Sequence, residues 1–121
     1  MESVEPEGIE ELDLDARWHR LLGHLKARLG RRPDLNAILL LIGVQELGQG
    51  VGEFTKEQKQ DLMHLATCRL LSVSGYYELE SVDADGWPHY RSVKPVAFAT
   101  LRDQERLLRW HMLEYFGEEE F

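Results

Sequence analysis

Apolar residues return along this chain in runs whose spacing alternates between the helical and the extended period. Trp18, Leu21, Leu22, Leu25 and Leu29 recur three and four residues apart, which places them on one face of a first helix. Asp13 and Asp15 suit its N-terminal end, and Gly30 offers a left-handed stop. Pro33 and Asp34 then form a turn and a new N-cap. LNAILLLIGVQEL follows, apolar on nearly every side, so the second helix is expected to be buried and central until Gly48, Gly50 and Gly52 end it. Thr55 with Gln58 fits a capping box, opening a third helix whose apolar face is Leu62, Leu65, Ala66, Leu70 and Val73 and which breaks at Gly75. YYELESV and WPHYRSV flank the turn-rich DADG and predict a β-hairpin near residues 76–93, with Pro88 restricting the second strand to an edge or a bulge. Thr100 caps a last helix, LRDQERLLRWHMLEYF, in which Leu101, Leu108, Met112 and Tyr115 share a face before Gly117.

The order helix, helix, helix, hairpin, helix predicts a mainly α fold with a small β-hairpin, an α+β domain built around the second helix. We expect an acidic flexible arm over residues 1–12, one helical domain over 13–117 and an acidic tail over 118–121. At 121 residues and 43% hydrophobic composition, the chain can bury one core without disulfides or a metal. The only cysteine is Cys68, and MESVEPEGIEELDLD lacks the basic and apolar regions of a secretory signal, so a cytoplasmic location is expected. The longest apolar run, Ala37 to Ile42, falls far short of the roughly 20 residues that span a bilayer, and no membrane association is expected.

Charge changes this picture. The net value of −8 disfavours a polyanionic partner. Ten of the acidic charges, however, lie in residues 2–15 and 118–120, and without them the balance moves from −8 to +2. Between Arg17 and Arg32 there is no carboxylate. Arg17, Arg20, His24, Arg28 and Arg31 fall on one stripe of the first helix, opposite its apolar face. Arginines in such a row are either a solvated face or a clamp for carboxylates or phosphates, because guanidinium offers bidentate donors and stays charged. The acidic arm, close in sequence and opposite in sign, is a third occupant for the stripe.

PDLNAILLLIGVQELGQG, FTKEQKQDLMH and GWPHY resemble a family of small bacterial proteins that has no assigned activity. The resemblance implies a bacterial cytoplasmic origin and carries over no functional residue. LLSVSGYYELESVDADGWPHYRSV is similar to the last helix and wing of a winged helix, a family that reads DNA through its third helix. Lys56, Glu57, Lys59, Asp61 and Arg69 nearly cancel in charge, which gives phosphate little reason to approach that helix.

Other constellations have plainer readings. Asp61, His64 and Cys68 project from one side of the third helix and are competent zinc ligands, but no second cysteine, HExxH or CxxC accompanies them. His111, with Glu114 and Glu46, lacks the ExxH order of a metal site in a helical bundle, and a core histidine bonded to Gln104 or a backbone carbonyl is the simpler account. GQGVGEFTK follows a helix and lacks GK[ST], so it reads as a connector. DADG lacks the downstream ligands of a calcium loop and reads as a turn. Gly43 inside an apolar helix implies close packing by a neighbour, and Glu46 on nearly the same face needs a basic partner. Trp87, His89 and Tyr90 are either interface anchors or a lid on the core.

No nucleophile has a base and an orienting partner, and no cofactor motif occurs, so catalysis gains no positive support and no cofactor is expected. The reading is a non-catalytic binding or adaptor module that contacts a protein partner's acidic surface, or another anion, through the basic face of the first helix. The alternatives are a winged-helix-like nucleic-acid-binding protein and a metal-dependent enzyme using Asp61, His64 or His111.

Overall fold

The computed structural model describes residues 11–50, 52–96 and 100–117. Its elements are α1 (Glu11–Leu29), α2 (Leu35–Leu47), α3 (Lys56–Ser72), β1 (Tyr77–Val82), β2 (Pro88–Ser92) and α4 (Leu101–Phe116). The fold is therefore mainly helical with one two-stranded antiparallel hairpin, in the order the sequence predicts. Residues 1–10 of the acidic arm and the tail at 118–121 lie outside the described residues. Among the described residues no helix is long and apolar enough to cross a membrane. Two compact units divide the chain, one holding α1 and α4, the other α2, α3 and the hairpin.

In the first unit α1 packs on α4. Leu14, Trp18, Leu21, Leu22 and Leu25 of α1 are buried, as are Leu107, Leu108, Met112, Leu113 and Phe116 of α4. Two residues expected on these apolar faces stand in solvent instead. Leu29 is 49% exposed in the last turn of α1, and Leu101 is 83% exposed as the first residue of α4, since a helix terminus projects past the surface it packs on. The Thr100 hydroxyl accepts the Asp103 backbone N–H at 3.0 Å, the N-cap anticipated there.

In the second unit each helix start carries its cap. The Asp34 carboxylate accepts the Ala37 N–H at 2.8 Å. At α3 the capping box is complete: the Gln58 N–H donates to the Thr55 hydroxyl at 3.0 Å, and the Thr55 N–H donates to the Gln58 amide oxygen at 2.9 Å. The helices α2 and α3 meet at Gly43, where a Cβ would collide with the Leu62 carbonyl oxygen. Only glycine admits this approach, which explains its place in an otherwise apolar helix. One turn on, Glu46 pairs with Arg69 of α3 at 3.4 Å, the basic partner its position calls for. Val73, expected on the apolar face of α3, is its C-cap and is 65% exposed.

The hairpin folds back over α3. Tyr77 pairs with Ser92, Leu79 with Tyr90 and Val82 with Pro88, with a register irregularity at Glu80. Pro88 opens β2, where its missing N–H breaks no ladder within the strand. Trp87 and Tyr90 pack against a core cluster of Leu47, Leu62 and Leu65.

Candidate functional site

The basic stripe lies in the first unit. Arg20, His24 and Arg28 are exposed on α1, and Arg31 and Arg32 are exposed just beyond its end. Arg17 departs from this pattern. Its side chain is only 17% exposed and lies 3.8 Å from Glu114 of α4, so the stripe begins at Arg20.

Arginines on α4, which the sequence pattern alone did not single out, gather beside the N-terminal half of α1. Arg102, Arg106 and Arg109 line a groove of about 220 Å³ with Leu14, Asp15 and Glu105. Arg109 donates to Glu105 at 2.7 Å, approaches Asp15 at 3.8 Å and stacks its guanidinium over Trp18 at 5.2 Å. The spacing of these arginines, three and four residues apart, is the signal that marks them in sequence. Arg109 with Asp15 and Glu105 makes this groove an ion-pair network, while the sequence from Arg20 to Arg32 contains no carboxylate of its own.

His111 is the core histidine of the simpler account. It is 2% exposed and its Nδ1 lies 2.8 Å from the Leu107 carbonyl oxygen, with Trp110 edge-on to its ring. It belongs to the first unit, while Asp61, His64 and Cys68 belong to the second.

The second unit contains a cleft of about 490 Å³ between α3 and the hairpin. Gln58, Asp61, His64, Leu65 and Cys68 line it from α3. Asp83, Trp87, Pro88, His89 and Tyr90 face them from the turn and β2. Two groups of residues that looked unrelated in sequence thus share one space, because the hairpin returns over the α3 side that carries Asp61, His64 and Cys68.

Asp83, Cys68 and Tyr90 are each held by their surroundings in this cleft. One Asp83 oxygen accepts the backbone N–H groups of Asp85 at 2.9 Å and Trp87 at 3.0 Å, and the other lies 2.9 Å from the His89 ring. The His89 bond, then the Trp87 N–H, hold the Asp83 carboxyl below its ordinary pKa, so it stays ionised. These bonds make DADG an Asx turn, closed by Gly86 at φ +89°. Gln49, just after α2, donates to the Asp85 carbonyl and tethers that turn. Cys68 is 3% exposed, and burial pushes its thiol up to about 11, so it is neutral at physiological pH. Its sulfur lies 3.5 Å from the His64 Nε2. Burial, and then the negative charge of Glu46, raise the Tyr90 hydroxyl, which remains a proton donor; Arg69 opposes the shift.

Among the described residues no three His, Cys, Asp or Glu side chains converge as a metal site. Asp61, His64 and Cys68 share a cleft without forming a ligand set. Trp87 and Tyr90 are half-buried against the core cluster, as a lid on the core requires, and also line the cleft, while His89 is exposed and engaged with Asp83. Compared with family models, curated proteins and solved structures, the chain matches none.

Proposed function

We propose that this protein is a non-catalytic binding module that docks onto the acidic surface of a protein partner through the exposed basic residues of α1 and the turn after it. The observation that carries this reading is that Arg20, His24 and Arg28 on α1, with Arg31 and Arg32 just past its end, are exposed in a carboxylate-free segment, while Leu21, Leu22 and Leu25 of the same helix are buried. A rigid helix holds the guanidinium forks of Arg20 and Arg28 about two turns apart with the His24 imidazole between them, so that each fork meets a separate carboxylate. Attraction of this kind speeds encounter and weakens with salt.

Fluorescence anisotropy with a labelled acidic peptide and with labelled single- and double-stranded DNA tests the proposal. Saturable peptide binding that an Arg20→Glu, Arg28→Glu double variant loses supports it. Tighter binding of DNA, lost in the same variant, shifts the function to the nucleic-acid reading; no saturable binding removes the basic face as a site. The winged-helix route is the weaker form of that alternative, because Asp61, His64 and Cys68 of α3 face the hairpin across the cleft and Arg69 pairs with Glu46. A metal-dependent enzyme is not proposed: His111 is buried against the Leu107 carbonyl, and the cleft residues supply no ligand set.

A further inference from the structure

The cleft of the second unit has its own chemistry, opposite in sign to that of α1. Its walls combine the flat side chains of Trp87 and Tyr90 with Leu65 and Pro88, and among the described residues no lysine or arginine lines it. Its formal charges come from Asp61 and Asp83. Asp83 remains ionised but commits its oxygens to the Asp85 and Trp87 N–H groups and to His89. Asp61 is exposed at the rim of α3 and forms no ion pair with any described residue. The cleft therefore offers an available carboxylate in the same space as two aromatic side chains, which favour a flat aromatic ligand by stacking or edge-to-face contact. The neutral Cys68 thiol adds no competing charge.

We propose that this cleft binds a small organic cation, a primary ammonium group carried on a flat aromatic body. The body lies against Trp87, Pro88 and Tyr90, and the ammonium donates to Asp61. A volume of about 490 Å³ is within the range of small-ligand sites and accommodates such a molecule with room for water. Anionic ligands of the same shape meet the uncompensated Asp61 carboxylate and are disfavoured.

Isothermal titration calorimetry of the full chain with tryptamine, and with indole-3-acetate as its anionic counterpart, tests this. Chemical-shift mapping of the Trp87 indole N–H places the ligand. The expected result is saturable tryptamine binding that shifts Trp87, at least about tenfold weaker in Asp61→Asn, with no saturable binding of indole-3-acetate. Asp61 is exposed and Asn is isosteric, so this variant keeps its fold; Trp87→Phe is the companion, expected to weaken binding less because a ring remains. Equal affinity for the two ligands, tryptamine binding unchanged in Asp61→Asn, shifts confined to residues outside the cleft, or no saturable binding of tryptamine would each overturn the proposal.

Discussion

The two units handle charge in contrasting ways. In the α1 and α4 unit, ion pairs form within and between the helices: Arg17 with Glu114, and Arg109 with Asp15 and Glu105. Arg20, His24 and Arg28 stand on the exposed face of α1. In the α2, α3 and hairpin unit the charges of α3 nearly cancel, and the polar chemistry is gathered into a concave cleft under two aromatic side chains. An exposed cationic face suits an extended partner that neutralises several charges at once and is held weakly at high salt. A concave site with one available carboxylate suits a single small ligand whose shape matters as much as its charge.

The strongest challenge to this comparison is to remove the cleft's foundation. Gly43→Ala places a Cβ against the Leu62 backbone, so α2 and α3 must separate; we expect a loss of about 3 kcal/mol in urea unfolding, with the cleft disrupted. Next in size, Arg20→Glu with Arg28→Glu should lower affinity for an acidic peptide at least about tenfold at about 50 mM salt while leaving chemical denaturation within about 0.5 kcal/mol of the native chain. Thr55→Ala removes the acceptor of the capping box and should cost about 1 kcal/mol, measured by the same unfolding curves.

Two pH effects sharpen the account of the cleft. The Cys68 thiol rises in the folded chain from 9.0 to about 11, so its contribution to stability is full below about 9 and is lost as pH climbs toward 11, where the unfolded chain releases the proton first. Unfolding curves from pH 8 to 11 should show this decline, and Cys68→Ala should flatten it. Asp83 shifts the other way: its bonds support the turn above the ordinary carboxylate pKa of about 3.9 and are lost as pH falls through its depressed value. Amide exchange at Asp85 and Trp87 should accelerate there.

Much of the fold was legible because each helix announces itself locally. Asp34, Thr55 and Thr100 all act as the N-caps their residue types suggest, and Gly43 and Glu46 signalled the neighbour that approaches them. The hairpin followed from DADG between extended segments. Helix ends were less legible: Leu29, Val73 and Leu101 keep the helical period, yet they lie where the packing surface has ended. Period fixes direction around an axis and says nothing about how far the neighbour extends. The same limit hid Arg17, whose side chain turns toward Glu114 of α4. The cleft was not legible as one site because Asp61, His64 and Cys68 are separated in sequence from Trp87, His89 and Tyr90, and only the return of the hairpin over α3 brings them together.

The most direct test of the central contrast is a crossed titration, in which the native chain, the Arg20→Glu, Arg28→Glu variant and the Asp61→Asn variant each meet an acidic peptide and tryptamine. The arginine variant is expected to bind the peptide at least about tenfold more weakly and to keep its affinity for tryptamine, while Asp61→Asn weakens tryptamine at least about tenfold and keeps the peptide. If one variant abolishes both ligands, or neither variant changes either, the assignment of a cationic face and an anionic cleft to separate parts of this protein is wrong.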